Sequence, residues 1–159
     1  MQVDIPPLVR ISRVSDIWPA NGAFEFTGGT SDLEAFDEVC IYSNMDDGAA
    51  AADYTVYVTG SGEAGALTLG CSTGVCTGDT IAYSVAWDDV SPGVSYTAFS
   101  GPGIGNTLSG FEGWSNLDDC ANTDNASYRV TIANQAMIDT VNHGTYTGTL
   151  NIVITPSAT

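Results

Sequence analysis

The residues able to do chemistry in this chain are four cysteines, one histidine, several adjacent carboxylates and a few aromatics placed in turns. Cys71 and Cys76 close the short loop Cys71-Ser72-Thr73-Gly74-Val75-Cys76, while Cys40 and Cys120 stand alone. Four cysteines allow about three pairings. The local pair is favoured as Cys71–Cys76, which leaves Cys40–Cys120 to bridge distant segments. Zinc is the competing use, but CxxxxC with two isolated cysteines lacks the paired CxxC spacing of structural zinc sites. His143, in Asn142-His143-Gly144-Thr145, is the single histidine and the only base a Ser–His–Asp arrangement could use. Its place in a loop before a strand reads as solvated punctuation. Asp46-Asp47, Asp88-Asp89 and Asp118-Asp119 could supply the two carboxyls of a glycosidase, yet adjacent Asp residues mostly bond their own backbone in turns. No catalytic residue and no organic cofactor is therefore expected, and the chain reads as a non-enzyme.

Two further constellations are weaker. Asn116, Asp118, Asp119, Asn122, Asp124 and Asn125 crowd around Cys120 and offer hard oxygen ligands of the kind calcium takes. Their spacing fits no EF-hand loop, so a polar turn is the plainer reading and no metal site is assigned. Asn125-Ala126-Ser127 matches the N-glycosylation sequon. Trp18, Tyr96 and Trp114 are candidates for stacking on sugar rings, whereas Trp87 lies in an alternating strand and reads as core.

Charge removes other classes. Three Arg, no Lys and 19 acidic residues give a formal charge of −16 over 159 residues. Nucleic-acid binding depends on Lys and Arg displacing counterions, and an anionic membrane repels such a surface. With 43% apolar residues the chain nevertheless has enough β-branched and aromatic side chains to fill a core. No apolar run is long enough for a membrane-spanning helix. Met1 to Pro7 lacks the basic and apolar regions of a signal peptide, so the protein is either cytosolic or given in its mature form. The even cysteine count favours the mature form of an exported protein.

The elements that must position these residues are strands. Tyr54 to Thr59, Ile81 to Trp87, Val94 to Phe99 and Tyr128 to Ile132 alternate with period two. Phe24 to Phe26, Val39 to Tyr42 and Ala66 to Leu69 are shorter candidates. Gly, Asp, Asn and Pro clusters separate them at the spacing of a sandwich. Only Asn134 to Val141 suggests a helical turn. The fold class is one all-β domain of two sheets packed face to face.

Both ends carry a pattern of their own. Tyr146, Gly148, Leu150, Ile152 and Ile154 share one face of the longest clean alternation in the chain. Val3, Ile5, Pro7, Val9 and Ile11 share another, and Pro6-Pro7 removes two backbone donors, which an edge or inserted strand tolerates. Such a segment either covers its own domain or completes a neighbour's sheet.

The order of these pieces is distinctive. A strand ending Ser15-Asp16-Ile17 is followed by Val39-Cys40-Ile41-Tyr42-Ser43-Asn44, by Tyr54 to Val58 and by Ile81 to Trp87. Cys120, Asn125-Ala126-Ser127-Tyr128-Arg129-Val130 and Gly144-Thr145-Tyr146-Thr147-Gly148-Thr149-Leu150 close the chain. Together they resemble the spore-coat-U-like and archaic chaperone–usher pilin subunits of bacteria. The Gly-Thr-Tyr-x-Gly-Thr-Leu ending is the most specific piece. The Cys71–Cys76 loop and Trp18-Pro19 depart from the family pattern.

The resemblance implies an incomplete immunoglobulin-like β-sandwich completed by a donated N-terminal strand. Residues 1–8 would form the donor segment and residues 9–159 the sandwich. Val3, Ile5 and Val9 are the expected donor side chains. Tyr146, Gly148, Leu150, Ile152 and Ile154 form one wall of the acceptor groove, with Gly148 either opening a pocket or relieving crowding. Because the first strand begins near Val9, the segment free to reach a neighbour narrows to Gln2 to Leu8, and self-complementation is the competing use. The implied partners are identical or related subunits in a homopolymer, with a periplasmic chaperone and an outer-membrane usher during assembly. The implied location is an extracellular pilus on the cell surface. The alternative is a secreted carbohydrate-binding sandwich.

Overall fold

In the computed structural model the described residues are 6–15, 29–44, 54–99, 106–114, 119–139 and 142–157, and the account below is confined to them. Strands are numbered in chain order. The larger sheet runs β1 (Val9–Ser12), β2 (Leu33–Ser43), β9 (Ala126–Ile132), β6 (Ser84–Asp88), β7 (Thr97–Ala98). Facing it is a sheet of β11 (Leu150–Pro156), β3 (Tyr54–Gly60) and β8 (Asn106–Phe111). A smaller sheet of β10 (Gly144–Thr147), β4 (Thr68–Gly74) and β5 (Thr80–Ala82) extends the structure, and every strand pairing is antiparallel. The architecture is an immunoglobulin-like β-sandwich: the period-two pattern predicts the facing sheets, and the resemblance implies their immunoglobulin-like arrangement.

The inner faces meet in one core. Val39 and Ile41 from β2, Val85 and Trp87 from β6, and Tyr128, Val130 and Ile132 from β9 pack against Tyr54, Val56 and Val58 of β3. Trp87 is 0% exposed, as its strand pattern predicts, and its indole N–H donates to the Tyr54 hydroxyl at 3.3 Å. Its ring stacks on Tyr128 at 6.3 Å and meets Tyr54 edge-on at 6.4 Å, geometries aromatic pairs prefer.

Both cysteine pairs form as expected. Cys40–Cys120 joins β2 to the 3-10 turn Asp119–Ala121, and Cys71–Cys76 closes the end of the β4–β5 hairpin. The short helix is also present, as α1 (Asn134–Asp139).

The structure departs from the simple strand reading in four places. Ile81 to Trp87 is two strands, because the hydrogen-bond partner changes at Tyr83: β5 pairs with β4, and β6 pairs with β9. Tyr83 itself donates its amide to Leu67 O at 3.0 Å. Val94 to Phe99 shrinks to Thr97–Ala98, because the amides of Val94 and Ser95 both go to Asp88 Oδ2 at 2.6 Å. β8 escapes the alternation rule because Gly110 is an extra residue: Tyr54 pairs with Phe111 while Thr55 pairs with Ser109. The closing alternation from Tyr146 to Ile154 is two strands in different sheets, β10 on β4 and β11 on β3. The segment Phe24 to Phe26 lies outside the described residues.

A candidate strand-acceptor edge

Two long strands end the β11-β3-β8 sheet, and they are unlike each other. β8 is blunted: its register slips at Gly110, which adopts φ +95° and bulges the strand away from a flat template. β11 keeps an unbroken register with β3 through seven pairs, from Leu150↔Gly60 to Pro156↔Tyr54. Among the described residues no strand pairs with its other side, so alternate N–H and C=O groups along that side point away from the sheet.

The side chains of β11 alternate in step. Leu150, Ile152 and Ile154 are half-buried and pack on the core, while Asn151, Val153 and Thr155 are exposed, Val153 at 45%. Thr155 is tied sideways to β3, its Oγ1 lying 2.5 Å from Thr55 Oγ1. The start of the strand is fixed by Thr149, whose amide donates to Ser61 Oγ at 3.0 Å and whose carbonyl accepts the Tyr83 hydroxyl at 3.4 Å.

Across the seam stands β1, the edge strand of the larger sheet, whose Cα atoms come within 8 Å of β11. Val9 and Ile11 of β1 are half-buried and pack on the same core cluster. The two strands belong to different sheets, so β1 and β11 are the two lips of one seam along the side of the sandwich.

The residues singled out from sequence distribute as follows. Leu150, Ile152 and Ile154 share one face of β11. Tyr146 is one sheet away in β10, opposite Cys71 in β4. Its hydroxyl donates to Asn142 O at 2.8 Å and lies 3.5 Å from Asp79 Oδ2. A Cβ at Gly148 would meet Leu69 Cδ2, Ser61 Oγ and Thr68 O, each at 3.0 Å, so glycine there lets the chain pass close to β4. Val9 opens β1, paired with Ser43 of its own chain. Val3 and Ile5 lie outside the described residues.

The other chemical candidates resolve into local structure. Asp88 holds the loop before β7, as described above. Asp124 is ion-paired with Arg13 at 2.6 Å. Asn125, the sequon asparagine, is buried with both side-chain ends engaged on Ile41: Oδ1 accepts its amide at 2.7 Å and Nδ2 donates to its carbonyl at 3.0 Å. Asn116 and Asp118 are outside the described residues, as are Asp46, Asp47 and Trp18. His143 is exposed, with its carbonyl accepting from Val75. Among the described residues no three His, Cys, Asp or Glu side chains gather as metal ligands do. The Tyr96 ring is covered by the Arg129 guanidinium at 4.9 Å, and Trp114 is half-buried, its backbone bonded to Ile41 and Ser43.

The Asp79 carboxylate is a further hub that sequence reading passed over. Asn142 donates to it twice at 3.0 Å, through its backbone N–H and its side-chain amide. Those donors, the backbone one foremost, hold its carboxyl below the usual carboxylate value. Burial first and the Asp79 charge second push the Tyr146 hydroxyl up. The hub ties the turn before β10 to the β4–β5 hairpin, and β10 leads directly into β11.

No protein-family model and no curated protein matches the chain. Among solved structures, a chain of a chaperone–tip adhesin complex of CFA/I fimbriae biogenesis is similar, with a TM-score of 0.51 and 14% identity. The match covers 94% of this chain and 42% of that one, so this chain spans less than half its length. At that identity the likeness is one of fold.

Proposed function

We propose that this protein is a structural subunit of an extracellular bacterial fimbria, and that the open side of β11 receives a strand donated by the next subunit. The observation that carries the reading is the bulge-free edge of β11, which no second strand pairs among the described residues, with Leu150, Ile152 and Ile154 half-buried along it. An edge of that kind is a template for another chain, and natural proteins normally blunt it. Strand addition supplies main-chain hydrogen bonds, while alternate side chains supply specificity. Covering the exposed half of three such side chains contributes on the order of 3 kcal/mol, before the donor's own side chains are counted. Association costs of several kcal/mol oppose this, so a long donor is needed.

The donor is the segment of residues 2–8, presenting Val3 and Ile5, with residues 6–8 as its root on its own subunit, where Pro6 and Leu8 bond Asn44. A strand hydrogen-bonded to β11 lies about 4.8 Å from it, so the lip formed by β1 moves outward as the donor enters. During export the same edge is held by a periplasmic chaperone and handed on at an outer-membrane usher. The fold resemblance to a chain of a chaperone–adhesin complex and the two disulfides support this reading.

Negative-stain microscopy of the purified protein tests it. Filaments from the full chain, and monomers or chaperone-bound subunits after deletion of residues 2–8, are the expected result. Filaments of normal length from the deleted chain overturn strand donation by that segment.

A further inference from the structure

Asn44, the residue after β2, makes three hydrogen bonds to the short segment that precedes β1. Its side-chain Oδ1 accepts the Leu8 amide at 2.6 Å, its Nδ2 donates to Pro6 O at 3.0 Å, and its own backbone N–H donates to Leu8 O at 3.1 Å. The β1–β2 ladder ends at Val9↔Ser43, so this one residue, by its backbone and its side chain, carries the pairing beyond the last ladder position. Its bonds span residues 6–8, where Pro6 and Pro7 fix two φ angles and can donate nothing from their backbone nitrogens. One asparagine thus satisfies the only amide in that stretch and the carbonyls of Pro6 and Leu8.

These bonds are unusual in their setting. Leu8 is 52% exposed and Pro6 and Pro7 are also exposed, so no hydrophobic packing fixes this stretch. Polar fixation of an exposed, proline-stiffened segment sets its direction and contributes little to the core. We propose that Asn44 is a positioning residue that fixes the angle at which the donor segment leaves its subunit, making the junction between successive subunits stiff. This inference rests on the fimbrial reading above and adds to it what sets the geometry from one subunit to the next.

The test uses full-length protein carrying Asn44→Ala or Asn44→Asp, the latter keeping Oδ1 and losing the Nδ2 donor. Both changes leave the side chains of β11 and of residues 2–5 as they are, so filaments still form and the difference is read in the junction. In the free subunit, hydrogen exchange at the Leu8 amide speeds up about tenfold in Asn44→Ala and less in Asn44→Asp. In filaments, the spread of inter-subunit angles measured by cryo-electron microscopy widens about twofold in Asn44→Ala. Pro6→Gly widens it independently, a readout that a role confined to stability of the sandwich does not move. Unchanged angles in Asn44→Ala filaments overturn the positioning role while leaving strand donation intact. Failure of the wild-type chain to form filaments overturns the fimbrial reading, and the junction with it.

Discussion

At Asp88 a single carboxylate oxygen accepts the amides of Val94 and Ser95, and the residue is only 4% exposed. Removing it strands two donors, so Asp88→Ala should lower unfolding free energy by about 2–3 kcal/mol in urea titration, with Asp88→Asn costing less. Asn125 acts in the same manner from farther away, its partner Ile41 lying 84 residues back in the chain. Because that amide is buried and engaged, the folded protein should carry no glycan at Asn125 when exposed to a glycosylating enzyme, as intact mass would report. Asp79 makes a statement about pH. Its folded value sits below 3.8, so its contribution is present above about pH 4 and is lost as pH falls through the lower folded value. Asp79→Asn should flatten that part of the acid-unfolding curve, and a carbon-detected titration should place the carboxyl midpoint below 3.8. Asp88 bonds backbone amides, as expected of an adjacent Asp pair, while Asp46, Asp47 and Asp118 lie outside the described residues. Asn125 and Asp79 did not declare themselves, since each meets its partner only after distant segments have been brought together.

Strands and their edges were legible in proportion to how local their cause is. Tyr54–Gly60 and Ala126–Ile132 have buried alternate residues and were visible as period-two runs. The division at Tyr83 and the gap between Thr147 and Leu150 were not, because alternation continues while the pairing partner changes. For the same reason, of the five residues expected to share one face only Leu150, Ile152 and Ile154 lie on β11, while Tyr146 and Gly148 pack on the neighbouring sheet. The contrast between β11 and β8 leads to a paired prediction. Ile152→Ala should cost about 1–2 kcal/mol in the subunit, since the side chain is half-buried, and should weaken filament assembly further. Gly110→Ala places a Cβ at φ +95° and should cost about 1–2 kcal/mol while leaving assembly unchanged.

For the molecule as a whole, two disulfides and a large negative charge set the terms. Cys40–Cys120 spans 80 residues and Cys71–Cys76 spans five. In the chain-entropy picture the long bridge contributes about 4 kcal/mol and the short one about 2 kcal/mol, so paired Cys→Ser changes should rank in that order by urea midpoint. The formal charge of −16 is offset by few ion pairs; among the described residues these are Arg13–Asp124 and Arg129–Glu34. Repulsion beyond about 8 Å is screened at physiological ionic strength. Filaments should therefore stay separate at low salt and bundle laterally as pH approaches the sequence pI of 4.1, which light scattering would follow.

The long bridge is anchored at Cys40, the position in β2 that pairs with Ser12 at the inner end of β1. A pull transmitted from subunit to subunit would enter each one through β1 and leave it through β11. The four-residue ladder of β1 would give way first, while Cys40–Cys120 keeps the adjoining stretch of β2 bonded to the 3-10 turn. Such a fibre would yield and recover under load with its cores intact.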